Sequence, residues 1–477
     1  MKSIIIVFLL FIYFASPAKM YSQNHNSFIE GYWFGVLEFQ GSELILTFAI
    51  RKNNKDSLMG EMKSPLQSSK EIALSKIKIN NDSVYLQIKS IGASYRGVFD
   101  VKDTLINGLF SQASYKIPLK LKRTLVPFIL KRPQEPKPPF NYESEEVSFD
   151  NTKEGIKLSG TLTYPKGEGK YPAVVLITGS GPQDRDEEIL GHKPFWIIAD
   201  YLSRNGIAVL RYDDRGVGKS GGNFATSTSM DFATDAEAAI TFLRKHSKIS
   251  PNQIGLLGHS EGGMIASIIA SKDKNIKFIV LLAGPGLSGE NILLTQIKKM
   301  LDLDENNAEF IRRVMDDSKK TYHLLKKNPN PPKAAKAIRK YYKKRAEQVP
   351  ANEQLEYGYT GSGIEIKIEA LNSPWFRYFL TFNPEDYLRK VDCPVFALFG
   401  DKDVQVVSKE NSSAIEHIAK RYKKDNFTIK IYPGKNHLFQ NAQKGSLSEY
   451  AKIEETISPE VLKDILVWMK DKIEKSK

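Results

Sequence analysis

The stretch "GLLGHSEGGMIAS" (Gly255–Ser267) decides how this chain is read. Its first part completes an apolar run of strand length, "QIGLLG" (Gln253–Gly258), and a helix is expected to begin near Glu261. Ser260 stands at the junction with a glycine two residues away on each side. A serine placed there projects from a tight turn. Small residues at Gly258 and Gly262 keep the neighbouring backbone from colliding, and the helix N-terminus favours developing negative charge. A glycine-softened turn would carry the same five residues. The reading therefore depends on whether the rest of the chain supplies a base, an acid and an oxyanion site in a workable order.

Around this junction, strand-like and helix-like runs alternate. "YPAVVLIT" (Tyr171–Thr178), "IAVLRY" (Ile207–Tyr212), "QIGLLG" and "KFIVLLAG" (Lys277–Gly284) are nearly all apolar, with amphipathic segments over Pro194–Arg204 and Asp231–Lys245 between them. Such strands predict a mostly parallel sheet covered by helices on both faces. The alternation stops at Pro285 and resumes with "PVFALFG" (Pro394–Gly400) and "FTIKIYPG" (Phe427–Gly434), followed by a last helix over Pro459–Ile473. "SEEVSFD" (Ser144–Asp150) and "IKLSGTLTY" (Ile156–Tyr164) complete eight strands. The charged, helix-like residues 285–384 then read as a cap inserted after the sixth strand of an α/β domain over 141–477.

Before this domain the grammar differs. Residues 28–124 alternate apolar and polar positions in short runs such as "YWFGVLEF" (Tyr32–Phe39) and "SVYLQIKS" (Ser83–Ser90), which predicts about eight antiparallel strands in a small barrel or sandwich. Five prolines in residues 125–140 mark an extended linker, and a chain truncated to begin near Lys137 would test whether the preceding segment is a targeting module. Residues 1–22 read as a secretory signal peptide: a basic start, the apolar run Ile4–Ala15, and small residues suited to cleavage after Ala18 or Ser22. No cysteine follows the run, so no lipoprotein anchor is expected. The expectation is an exported chain, periplasmic or extracellular, with no membrane span after cleavage.

Composition narrows the function classes. Apolar content of 41% and charged content of 26% are those of a globular protein. The net charge of +14 comes from lysines spread along the chain, and no nucleic-acid-binding motif accompanies them. "GVGKS" (Gly216–Ser220) ends like a phosphate-binding loop, but Asp213 stands where that motif requires its first glycine. The single cysteine, Cys393, opens an apolar run and reads as a buried structural thiol.

A serine hydroxyl needs a base, and the chain holds seven histidines. His25 falls in the N-terminal tail, His246 and His417 among charges in amphipathic helices, and His323 in the cap. His259 adjoins Ser260 and reads as part of the turn. His192 follows the third strand and is a candidate for bordering the site. His437, in "YPGKNHLF" after the last strand, sits where an imidazole reaches across the sheet's C-terminal edge. An imidazole in that role needs a carboxylate. "FGDKDVQV" offers Asp401 and Asp403, of which Asp403 lies deeper in the loop, while Asp401 suits a turn cap. The oxyanion site calls for backbone N–H groups from Glu261 and from "TGSGPQDRD" (Thr178–Asp186), with Ser180 the first candidate and Gly181 the second. The Glu261 side chain is expected to point off the helix start.

With serine, acid and histidine in that order, the chain resembles the α/β-hydrolase superfamily from about Asn141 to Lys477. "TGSGPQDRD", "YDDRGVGKSGG" (Tyr212–Gly222), "GHSEGG", "FGDKDVQV" and "GKNHLF" carry the resemblance. Together they look like exported bacterial carboxylesterases of the dienelactone-hydrolase-like group, which carry an N-terminal extension. "SPWFRYFLTFNP" (Ser373–Pro384) is similar to that group's return from the cap. The resemblance implies a triad of Ser260, Asp403 and His437, hydrolysing short-chain carboxylic esters through an acyl-enzyme, with no metal and no cofactor. Competing readings keep the triad and change the acyl partner (thioesterase, peptidase, acyltransferase). Another makes the β-domain a binding module for a glycan-linked ester substrate. Oligomeric state is left open.

Overall fold

The computed structural model describes residues 29–39, 42–100, 104–112 and 115–474. Residues 1–22, expected to form a signal peptide, and His25 lie outside the described residues. The chain forms two compact units, Met1–Ile129 and Leu130–Lys477.

The first unit is one antiparallel sheet of nine strands. These are β1 (Gly31–Phe39), β2 (Ser42–Lys52), β3 (Leu58–Ser64), β4 (Ser68–Ala73), β5 (Lys76–Asn80), β6 (Ser83–Ile88), β7 (Ala93–Asp100), β8 (Leu105–Gln112) and β9 (Tyr115–Thr124). Their order, β4-β3-β2-β1-β9-β8-β7-β6-β5, is a meander closed by the β1–β9 pairing. The sheet curls until β3 touches β5. Of the two expected arrangements, the curled, barrel-like one is present. Period-two alternation sends Trp33, Phe48, Leu86, Tyr95, Ile106 and Leu121 inward. Gly97 and Gly108 face each other across β7 and β8, and a Cβ on either would stand 2.7–2.8 Å from the buried Tyr95 ring system. That vacancy lets the Tyr95 hydroxyl donate to the carbonyls of Ile106 and Leu119.

The second unit carries eight strands: β10 (Tyr142–Asn151), β11 (Ile156–Pro165), β12 (Tyr171–Ile177), β13 (Ala208–Tyr212), β14 (Ile249–His259), β15 (Ile279–Leu282), β16 (Val395–Gly400) and β17 (Phe427–Tyr432). Their order is β10-β11-β13-β12-β14-β15-β16-β17, antiparallel at β10–β11–β13 and parallel from β13 to β17. This is the α/β-hydrolase arrangement expected from the resemblance. The strand order reverses between β13 and β12, so β14 to β17 deliver their C-terminal ends to one edge of the sheet. β13, β15 and β16 are buried at every residue, which explains why they read as unbroken apolar runs. Helices α1 (Pro194–Arg204), α2 (Ser229–Lys245) and α3 (Glu261–Ala270) pack against the sheet. Five helices make the insertion: α4 (Gly289–Leu303), α5 (Ala308–Lys327), α6 (Pro331–Ala346), α7 (Gly361–Leu371) and α8 (Pro374–Thr381). They share their own core around Tyr322, Ile338, Tyr342, Tyr359 and Phe376. After the insertion come α9 (Glu385–Leu388), α10 (Ser408–Arg421), α11 (Leu447–Tyr450) and α12 (Pro459–Glu474).

The proline-rich stretch departs from a free linker. From Leu130 onward it belongs to the second unit. The Arg132 guanidinium donates to the carbonyls of Leu190, Gly191, Ala451 and Ile453. The Gln134 side chain accepts from the Thr456 N–H and donates to the Ile457 carbonyl. The segment turns at Arg132–Glu135, where the Glu135 N–H donates to the Arg132 carbonyl, and the two side chains satisfy loop carbonyls that the sheet leaves unpaired. A chain beginning at Lys137 therefore loses this strap. Urea unfolding is expected to show a chain starting at Leu130 to be more stable than one starting at Lys137 by about 2–4 kcal/mol, from several charge-assisted hydrogen bonds. Equal midpoints would show that the strap contributes nothing.

Candidate active site

Ser260 occupies a backbone position that few side chains adopt, with φ 52° and ψ −117°. A non-glycine residue there costs about 1–3 kcal/mol and persists only where its surroundings enforce it. Here β14 ends one residue earlier and α3 begins one residue later. The Ser260 N–H donates to the Leu282 carbonyl at 2.8 Å, and its own carbonyl accepts from the Gly263 N–H at 2.9 Å. A Cβ on Gly258 would lie 2.0 Å from the Gly262 carbonyl oxygen, and one on Gly262 would lie 2.0 Å from that of Ile177. Both motif glycines are thus places where backbone crosses backbone. Ser260 is partly exposed, whereas His259 and Glu261 on either side are buried.

The loops after β16 and β17 bring Asp403 and His437 together. Asp403 is 1% exposed. Its Oδ1 accepts from the N–H groups of Gln405 (2.7 Å) and Val406 (2.9 Å), and its Oδ2 faces His437 Nδ1 at 2.7 Å. A carboxylate acceptor places the proton on Nδ1 and leaves Nε2 as the basic end. Asp401 instead accepts from the Gly434 N–H at 2.6 Å and ties the two loops at their base. Of the two candidate aspartates, Asp403 meets the imidazole and Asp401 holds the turn at Gly434.

The first of these loops' neighbours, the segment after β12, is gripped by carboxyls. Asp214 accepts from the Thr178 hydroxyl (2.7 Å) and the Gln183 N–H (2.9 Å), and burial pushes its pKa well above the usual carboxylate range. Glu187 accepts from the Gly179 N–H at 2.7 Å. These anchors leave Ser180 exposed at the bend, and a Cβ added to Gly179 would come 3.4 Å from Ser260 Cβ. The two oxyanion candidates thus flank the serine: Glu261 follows it on α3, and Ser180 follows the close-approaching Gly179. Gly181 has φ 101° and shapes the bend.

Two expectations are corrected. The Glu261 side chain does not point off the helix. It is 2% exposed, accepts from Ser229 Oγ at 2.5 Å, and takes Trp375 Nε1 on both oxygens at 2.8 and 2.9 Å. Burial raises its pKa, opposed by those hydrogen bonds. The insertion helix α8 is thereby fastened to the residue after the serine. His192 does not border the site. It is fully buried, its Nε2–H donating to the Tyr450 carbonyl and its Nδ1 facing the Thr456 hydroxyl, both at 2.8 Å. Sequence reasoning missed Glu187 and Asp214. Asp214 lies inside a quoted motif, but Glu187 lies one residue beyond one, and no pattern marks a loop glutamate as buried.

Burial lowers the His192 pKa to about 4. The unfolded chain therefore binds this proton first, so the stability it contributes is present above about pH 6.5 and is lost as pH falls toward 4, on the order of 3 kcal/mol. In chemical denaturation, His192→Gln should lie below the parent at pH 7, with the gap closing by pH 4.5. A gap independent of pH would contradict the neutral, buried assignment.

Comparison with known proteins adds independent observations. The family model described as serine aminopeptidase, S33, matches residues 195–348, and that of the dienelactone hydrolase family matches residues 379–471. The chain is 26% identical over 336 residues to the esterase EstD of Thermotoga maritima, spanning 69% of this chain and 68% of that protein. It is 35% identical over 143 residues to the thiohydrolase aneE of Aspergillus aculeatus, which covers 29% of this chain and 42% of that one. Among solved structures, the esterase Pf2001 of Pyrococcus furiosus superposes with a TM-score of 0.42 at 17% identity, covering 70% of this chain and 93% of that chain.

Proposed function

For a chain that belongs to the α/β-hydrolase superfamily, we propose that the site hydrolyses short-chain carboxylic esters with Ser260 as nucleophile, His437 as base and Asp403 as its partner. Ser260 Oγ attacks the acyl carbonyl carbon while His437 Nε2 takes the hydroxyl proton. The N–H groups of Ser180 and Glu261 hold the oxyanion of the tetrahedral intermediate. His437 then protonates the alcohol oxygen as the C–O bond breaks, leaving the acyl group on Ser260. Water, deprotonated by His437, attacks that ester, and the proton returns to Ser260 as the acid departs. The observation that carries the reading is the 2.7 Å Asp403–His437 bond in a loop adjoining a serine at φ 52°. The esterase relative, matched over 69% of this chain, supports an ester as substrate.

With p-nitrophenyl butyrate, Ser260→Ala is expected to lower kcat at least 10³-fold and to abolish fluorophosphonate labelling. Asp403→Asn should cost about 10²- to 10⁴-fold through the wrong imidazole tautomer, whereas Asp401→Asn should stay within a few fold. Full activity in Ser260→Ala would overturn the assignment. The thiohydrolase relative favours a second acyl partner, and a higher kcat/KM on butyryl thioesters than on the matched oxygen esters would select it.

Export remains part of the proposal. Expression in a bacterial host with sequencing of the mature N-terminus should give a chain starting at Lys19 or Gln23, and a retained Met1 would refute it.

A further inference from the structure

A second carboxylate–imidazole pair lies beneath the proposed triad. His259 Nδ1 is 2.8 Å from Glu187 Oε1, and its Nε2 is 3.1 Å from the carbonyl oxygen of His437. Glu187 is 1% exposed and His259 is 4% exposed. The same Glu187 Oε1 takes the Gly179 N–H at 2.7 Å. The rings of His259 and His437 pack with centroids 4.7 Å apart at 48°. Glu187 itself sits at φ 51°, a bend that turns its side chain inward.

The His437 carbonyl can only accept, so His259 Nε2 carries hydrogen, and Nδ1 shares a hydrogen bond with Glu187 Oε1. Burial alone would lower the His259 pKa, but Glu187, the His437 carbonyl and Asp403 together raise it, and the net direction is upward.

We infer that Glu187 and His259 are positioning residues for the reaction. Glu187 orients the oxyanion loop through Gly179, and His259 fixes the backbone of the base through the His437 carbonyl. One hydrogen-bonded pair thereby sets three parts against each other: Gly179, the residue preceding Ser180; His259, the residue preceding Ser260; and the main chain of His437. The inference rests on the triad reading above. Because transition-state donors must be placed to within a fraction of an ångström, loosening this pair lowers turnover more than substrate binding.

The test uses the full chain, with active serine counted by fluorophosphonate titration. Glu187→Gln and His259→Gln should each lower kcat per titrated serine about 10- to 100-fold on p-nitrophenyl butyrate, with KM within threefold. Inhibition by butylboronic acid, which mimics the tetrahedral intermediate, should weaken in step with kcat. The double variant should be no worse than the poorer single one, because the residues act as a unit. A kcat per titrated serine within threefold of the parent in both single variants overturns the inference, whatever happens to Tm. Nitrogen-15 histidine spectra of the parent provide a readout free of mutation: hydrogen on His259 Nε2 and a hydrogen bond at Nδ1 are expected, and an Nε2 without hydrogen overturns the inference. Activity surviving Ser260→Ala would overturn the triad instead and leave that spectrum unchanged.

Discussion

Two backbone crossings without side chains control the geometry of the site. At Gly258 the end of β14 passes the first turn of α3, and at Gly262 that turn passes the end of β12, each with room for no Cβ. The sharp reversal between them is possible only because these atoms are missing, and it throws Ser260 into a strained conformation facing the sheet's C-terminal edge. The Leu282 carbonyl, from the next strand, locks the serine's N–H. The strain is therefore held by the most buried part of the sheet, where β14 and β15 have little freedom to relax.

Around that elbow lie three buried carboxyls, Asp403, Glu187 and Glu261, and the half-buried Asp214, and their partners sort them by task. Asp403 and Glu187 each have an imidazole and at least one backbone N–H. Asp214 and Glu261 have only neutral donors, and burial pushes both upward in pKa. A carboxylate removed from water costs several kcal/mol unless hydrogen bonds replace its hydration. Each of the four here receives at least two such bonds. The same rule makes the site rigid, because moving any loop would strand a carboxyl. Trp375 joins the helical insertion to Glu261 through the indole N–H, so the insertion is fastened beside Ser260.

Much of this was legible in the residue pattern. β13, β15 and β16 announced themselves as apolar runs because they are buried on both faces, and the strands of the first unit as alternations because one face of their sheet is wet. Ser260 and His437 stood out as candidates because each follows a strand, and the structure places both just after those strands. The strap around Arg132 was not legible: prolines signal extended backbone equally for a free linker and for a segment laid along a domain. Glu187 was not either, since a glutamate in a polar loop looks solvated until a fold closes over it.

The sequence by itself determined the order of strands and helices, the elbow at Ser260 and the chain order of serine, acid and histidine. Those follow from local periodicity and from glycines that no other residue can replace. Tertiary structure alone decided that Asp403 rather than Asp401 meets the imidazole, that Glu261 turns inward, and that His259 pairs with Glu187. These contacts join residues 34, 114 and 72 positions apart. Which donor a buried carboxyl finds depends on loops meeting across the sheet edge, and no local pattern encodes that meeting.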